Sequence, residues 1–232
     1  MNISDKAKRL ILMGGLMASA VMVMPGNVQA QTICSGTNNV NCTGDGSSTP
    51  HTATIGTGPN DSITNFVTVD NNSRVSTGNA PAISVGNGTN ITINGTVENS
   101  ATGTPGLYGT GGNTIEARSN TTITVGATGK VSSHGAQQQS EAINVHGFNN
   151  TITNYGTIEA EHNAAIWFQD SWDADMAKNP GSYTCTDAGC RNTVDNYGTI
   201  KTGKGSQANV IGSQAPKARK AALFSLTAPT PL

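Results

Sequence analysis

Two seven-residue stretches of this chain are almost the same. Ile152-Thr153-Asn154-Tyr155-Gly156-Thr157-Ile158 returns as Val194-Asp195-Asn196-Tyr197-Gly198-Thr199-Ile200. Looser copies run from Ile91 to Val97 around Gly95 and from Val125 to Val131 around Gly129, and a fifth, Val69 to Val75, carries Ser73 at the glycine position. In each copy two Ile or Val anchors stand six residues apart. Alternation at about 180° per residue returns such anchors to one face, whereas a helix at about 100° per residue would leave them about 240° apart. The repeat is therefore built of strand. Its glycine falls on the same inward face, where it suits a tight bend or a close backbone approach, so Gly95, Gly129, Gly156 and Gly198 are expected to be structural.

First anchors at Val69, Ile91, Val125, Ile152 and Val194 give spacings of 22, 34, 27 and 42 residues by subtraction. Periods of that size belong to solenoids. A third apolar pair precedes each anchor from the second copy on: Ile83 and Val85, Ile115 and Ala117, Ile143 and Val145, Ile166 and Phe168. Each coil then holds three short strands, and the chain is expected to be all-β, with about four to five coils stacked between residues 55 and 212. The last coil is interrupted between Gln169 and Arg191 by an insertion of about twenty residues, of the kind that solenoids carry as loops on one face. Asn154 and Asn196 fall inward, in position for a side-chain amide ladder. Tyr155 and Tyr197 point outward, either stacked on each other or as plain surface residues.

Both ends differ from this pattern. Lys6, Lys8 and Arg9 precede an uncharged apolar run from Leu10 to Met24, then Pro25-Gly26-Asn27 and the small residues before Gln31. Such a run is too short for a spanning helix of ~20 residues, and residues 1–30 read as a secretory signal peptide. Residues 31–54 lack the anchor motif and read as a cap over the open end of the stack. Residues 213–232 contain no Gly or Asn, gain Lys217, Arg219 and Lys220, and end in Ala228-Pro229-Thr230-Pro231-Leu232. That tail reads either as an ordinary irregular terminus or as the mark of a truncated or frame-shifted frame.

Four cysteines form two close pairs, Cys34 with Cys42 and Cys185 with Cys190. In an exported chain these are expected to be local disulfides. The competing zinc reading lacks a Cys-x2-Cys core and paired histidines. Between Gln31 and Gly212 seven Lys or Arg face thirteen Asp or Glu, a net of −6, whereas nucleic-acid binding asks for a basic stripe. No nucleic-acid partner, cofactor or metal is expected, and no other apolar run is long enough to cross a bilayer.

The insertion concentrates the unusual side chains. Both tryptophans, Trp167 and Trp172, lie in it or at its edge with Asp170, Asp173, Asp175 and Tyr183, ahead of the Cys185 to Cys190 clip. Loops of this composition on a rigid scaffold are candidate binding sites, against a reading in which one Trp merely covers the coil. The three aspartates lack the Gly and distal Glu of a formed calcium loop. For enzymatic chemistry the candidates are Glu159, Glu161 and His162, a carboxylate pair with an adjacent base. There is no Gly-x-Ser-x-Gly elbow, phosphate loop or His-Glu-x-x-His, and we do not expect an enzyme.

A signal peptide followed by Asn-Tyr-Gly-Thr-Ile and Asn-Gly-Thr-Val coils resembles the passenger domains of bacterial autotransporters, the type V secretion family of Gram-negative outer membranes. The likeness spans residues 63–211 and rests on repeat style. It implies a right-handed parallel β-helix, exported and displayed at the cell surface by a C-terminal translocator barrel, and commonly an adhesin for host-cell or extracellular-matrix components. The chain departs from that pattern after Ile211, where too few residues remain for the barrel. A secreted polysaccharide-acting β-helix enzyme and a non-functional truncated stalk are the competing readings.

Overall fold

Short Thr-Ile-Thr and Thr-Val runs set the local structure. β-Branched side chains pack well on a pleated surface, and in many strands they alternate with small polar residues, so that every second side chain is buried. The computed structural model describes residues 31–45, 49–58, 60–100, 112–135, 140–169, 192–203, 210–213 and 226–227. The expected signal peptide, the insertion 170–191 with its Cys185–Cys190 pair, the glycine-rich segment 101–111 and most of the tail lie outside the described residues.

Eighteen strands are found among the described residues, and no helix. The first sheet holds, in spatial order, β1 (Ile33–Ser35), β2 (Asn39–Thr43), β3 (Phe66–Val69), β6 (Asn90–Ile93), β9 (Thr122–Val125), β12 (Thr151–Asn154), β15 (Thr193–Asn196) and β18 (Leu226–Thr227). The second holds β4 (Arg74–Thr77), β7 (Thr96–Asn99), β10 (Lys130–Ser133), β13 (Thr157–Ala160) and β16 (Thr199–Thr202). The third holds β5 (Ile83–Ser84), β8 (Ile115–Ala117), β11 (Ile143–His146), β14 (Ile166–Gln169) and β17 (Ile211–Ser213). From β3 onward the chain deals its strands to the three sheets in strict rotation, and neighbouring strands are parallel. One rotation makes one circuit, hydrogen-bonded to the circuits before and after it. The arrangement is all-β and consistent with a β-solenoid.

The core is a set of apolar columns. Val40, Val67, Ile91, Ile123, Ile152 and Val194 stack through the first sheet. Val75, Val97, Val131, Ile158 and Ile200 stack through the second. Ile83, Ile115, Ile143, Ile166 and Ile211 stack through the third. Most of these side chains have no solvent exposure at all, and each stabilises the fold by roughly 1.5–3 kcal/mol relative to an exposed position.

That register corrects two of the expected anchors. Val67 and Ile123, not Val69 and Val125, stand opposite Ile91 and Ile152, while Val69 and Val125 occupy the next inward position, level with Ile93. The anchor spacings become 24, 32, 29 and 42 residues by subtraction. The cause lies in the bend between the first two sheets. It is two residues long at Asn94-Gly95, Tyr155-Gly156 and Tyr197-Gly198, but four at 70–73 and 126–129. An even-numbered extension keeps the inward parity, so the period-two pattern is blind to it.

The expected glycines close each bend just before its second-sheet strand. A Cβ on Gly95, Gly129, Gly156 or Gly198 would fall 2.3, 2.1, 2.2 or 2.2 Å from a backbone oxygen of the preceding circuit. Those close approaches go with the inter-circuit bonds, such as Thr157 N–H to the Gly129 carbonyl at 3.0 Å and Thr199 N–H to the Gly156 carbonyl at 2.8 Å. At the fifth copy the Ser73 hydroxyl donates to the Cys42 carbonyl at 2.9 Å.

Among the described residues of 31–54, β1 covers the end of the first sheet, and Gln31 before it bridges Thr49. β1 lies antiparallel on β2, tied by the disulfide of the directly opposed Cys34 and Cys42. From β2 on, the segment already makes a circuit, with parallel bridges from His51 to Val75 and from Ile55 to Ile83. A second fastening is Asp61, whose carboxylate accepts N–H bonds from Thr57, Ile63 and Thr64 and the Thr64 hydroxyl at 2.8–2.9 Å. Burial alone would raise its pKa, but these four bonds overcome it and hold the group at about 2.

Gly156→Ala places a methyl group against two carbonyl oxygens of the previous circuit, and should lower stability by about 1–3 kcal/mol. Gly78→Ala meets open space and should leave the thermal transition almost unchanged. Equal transitions for the two variants would contradict the close approach.

Candidate functional site

Alternation leaves the remaining side chains outward, and the parallel register collects them into rows. On the third sheet one row reads Ser84, Glu116, Asn144 and Trp167. Trp167 is half-buried between the inward Ile166 and Phe168, which fix its strand. Of the expected binding residues it is the one the structure describes. Asp170, Trp172, Asp173, Asp175 and Tyr183 lie outside the described residues.

Beside Trp167 the row is polar and largely covered. Asn144, 1% exposed, donates from Nδ2 to Gln169 Oε1 at 3.1 Å on the next circuit. Glu116 accepts from Asn113 Nδ2 at 3.0 Å and from the Ser84 hydroxyl at 3.2 Å. Asn113 Oδ1 in turn accepts the backbone N–H of Glu141 at 3.1 Å. Glu141 is 5% exposed, and its Oε2 finds no hydrogen-bond partner. Burial pushes its pKa up to about 7, opposed by a backbone hydrogen bond and reinforced by the charge of Glu116. Sequence reasoning missed this cluster. The readable signal was Glu141 itself, a carboxylate set directly before the apolar Ala142-Ile143.

The expected acid/base candidates are engaged elsewhere. On the outward face of the second sheet Glu159 lies between Lys130 and Lys201, with Lys201 Nζ at 2.6 Å. Burial would raise its pKa, but the two lysines reverse the effect and hold it below the usual range. Glu161 bonds His134 Nδ1 at 2.7 Å and lies 3.9 Å from His162 Nε2. Two circuits earlier, beyond Ser132 of the circuit between, Glu98 takes Arg74 and the Ser76 hydroxyl. The face thus carries ion pairs between neighbouring circuits, and each of these carboxylates is already bonded.

At the bend between the first two sheets the expected amide ladder is present. Asn154 Nδ2 donates to Asn196 Oδ1 at 2.8 Å, and each Oδ1 accepts the N–H of its own bend glycine, Gly156 at 3.1 Å and Gly198 at 3.3 Å. That fixes Tyr155 and Tyr197 outward, stacked with centroids 5.1 Å apart and 11° between ring planes. They remain 50% and 48% exposed. No group of three or more His, Cys, Asp or Glu among the described residues is placed to hold a metal ion, and no helix among them is long and apolar enough to cross a membrane.

Comparison of the chain with protein-family models, with curated proteins and with solved structures finds no match in any of the three.

The Glu141 environment sets a pH dependence. A carboxyl raised from 4.5 to about 7 on folding leaves the folded state with the tighter proton. Its favourable contribution is therefore complete below about pH 4.5, fades as pH rises, and is gone above about pH 7. The full span is roughly 3 kcal/mol. Urea titrations in a chelating buffer should show wild type losing stability between about pH 4.5 and 7, and Glu141→Gln losing much less. Parallel pH profiles for the two would place Glu141 in water.

Proposed function

We propose that the chain is the exported passenger segment of an autotransporter, a closed right-handed parallel β-helix that acts at the cell surface as an adhesin. The observation that carries this reading is the strict rotation of short parallel strands through three sheets. Such a stack grows along one axis and presents outward side chains in rows, a form suited to display and to lateral contact rather than to enclosing a substrate. The Asn-Tyr-Gly-Thr-Ile and Asn-Gly-Thr-Val bends that carry the resemblance are the points at which each circuit turns from the first sheet to the second. The partners in this reading are host-cell or extracellular-matrix components, contacted through the outward Trp167.

A competing reading as a polysaccharide-acting enzyme draws on Glu141, a buried carboxyl whose pKa burial and the charge of Glu116 raise to about 7, in the manner of a general acid. Release of reducing ends or unsaturated products from acidic polysaccharides would establish it.

Cells displaying the passenger should adhere to host-cell or matrix-coated surfaces. Trp167→Ala should weaken that attachment roughly tenfold, as truncation of an aromatic anchor does, with the thermal transition kept within a few degrees. Unchanged attachment with a collapsed transition would make Trp167 a core residue. No attachment in wild type would remove the adhesin reading.

A further inference from the structure

We propose that Glu116, Glu141 and Asn144 form a site for a calcium-type divalent cation at the corner where the second sheet hands over to the third. The argument begins with unmet acceptors. Ser140 Oγ, Glu141 Oε2 and Asn144 Oδ1 are buried side-chain oxygens without a hydrogen-bond partner, and all fall between residues 140 and 144. Buried polar atoms are nearly always satisfied, and those left over call for an ion or water.

Direction supplies the second step. Asn144 lies opposite Glu116 on the preceding circuit and opposite Trp167 on the following one. Its Nδ2 is committed to Gln169 on the following circuit. The two polar atoms of an amide diverge from one carbon, so Oδ1 is aimed back toward Glu116. Parallel neighbours stand about 4.8 Å apart, which brings the amide oxygen and the Glu116 carboxylate to one place. Asn113 ties the Glu141 backbone to the same carboxylate, its Oδ1 accepting the Glu141 backbone N–H and its Nδ2 donating to Glu116. The charge of Glu116 is felt at Glu141.

The donors decide the ion. Two carboxyls and an amide oxygen are hard ligands with no nitrogen or sulfur among them, a set that selects calcium or magnesium over zinc or copper. Strands joined by irregular corners tolerate the loose geometry of calcium better than the strict octahedron of magnesium. A divalent charge offsets both carboxylates, and the half-buried Glu116 gives the ion its way in. With two carboxylates the site is expected to be weak, in the range of about 0.1–1 mM seen in extracellular modules. The site stands independently of the adhesin reading.

The test is the thermal transition of the purified mature chain at pH 7.5, first in EDTA and then with calcium or magnesium up to about 10 mM. Wild type should show a saturable rise of several degrees in Tm with a midpoint of about 0.1–1 mM calcium, and a smaller rise with magnesium. Glu141→Gln should start higher than wild type in EDTA and lose the calcium response, a combination that a merely damaged fold does not give. Glu116→Gln should lose the response as well, while Glu159→Gln, on the other sheet, should keep it. A flat calcium titration in wild type, or a full response in Glu141→Gln, overturns the proposal. The first result would mean that the Asn144 amide is turned round and donates to Glu116.

Discussion

Everything in this fold depends on the parallel hydrogen bonding of each circuit to the circuits before and after it. Strands of two to five residues bury too little to stand alone, and a lone strand would leave its backbone groups unpaired. Stacking answers both needs at once. It pairs the N–H and C=O groups along the axis and closes the Ile and Val columns against one another. The glycine column at the first bend is a condition of that stacking, since a methyl group at Gly156 or Gly198 would occupy the space of the preceding circuit's carbonyl oxygen.

Polar side chains take over where the apolar columns end. The inward position that holds Val69, Ile93 and Val125 in early circuits passes to Asn154 and Asn196 later. There the amides bond each other and the bend glycines instead of packing. A second amide row lies just before the first-sheet strands. Asn150 binds Asn192 through both its backbone N–H and its Nδ2, and its own Oδ1 accepts the Thr121 N–H. On the outside of the second sheet the ion pairs tie strands laterally. Surface pairs of this kind add little individually, but they engage the face's carboxylates and separate it in character from the third sheet.

Much of this was legible in the chain, for a physical reason that also marks the limit. Ile152, Ile158, Ile143 and Ile166 could be placed inward because alternation is a property of each strand by itself. Tyr155 and Asn154 followed from the same parity. Register is a relation between strands, and at Val67 and Ile123 it was hidden by bends two residues longer than the rest. The Asn150 to Asn192 row carried no apolar signal to find. Glu116 and Glu141 are 25 residues apart in sequence and become neighbours only once the circuits are stacked, so no local motif announced them.

The central claim is therefore the in-register parallel stacking, and engineered cross-links read it directly. Thr124 stands opposite Thr153 on the next circuit, at about 4.8 Å and within disulfide reach. The register in which Val125 faces Ile152 would instead put Thr124 opposite Thr151. The account predicts that Thr124→Cys with Thr153→Cys closes a disulfide under mild oxidation, whereas Thr124→Cys with Thr151→Cys stays reduced at a separation of about 8 Å, beyond bridging distance. Closure of the second pair and not the first would contradict the register, and closure of neither would contradict the stacking of these two circuits.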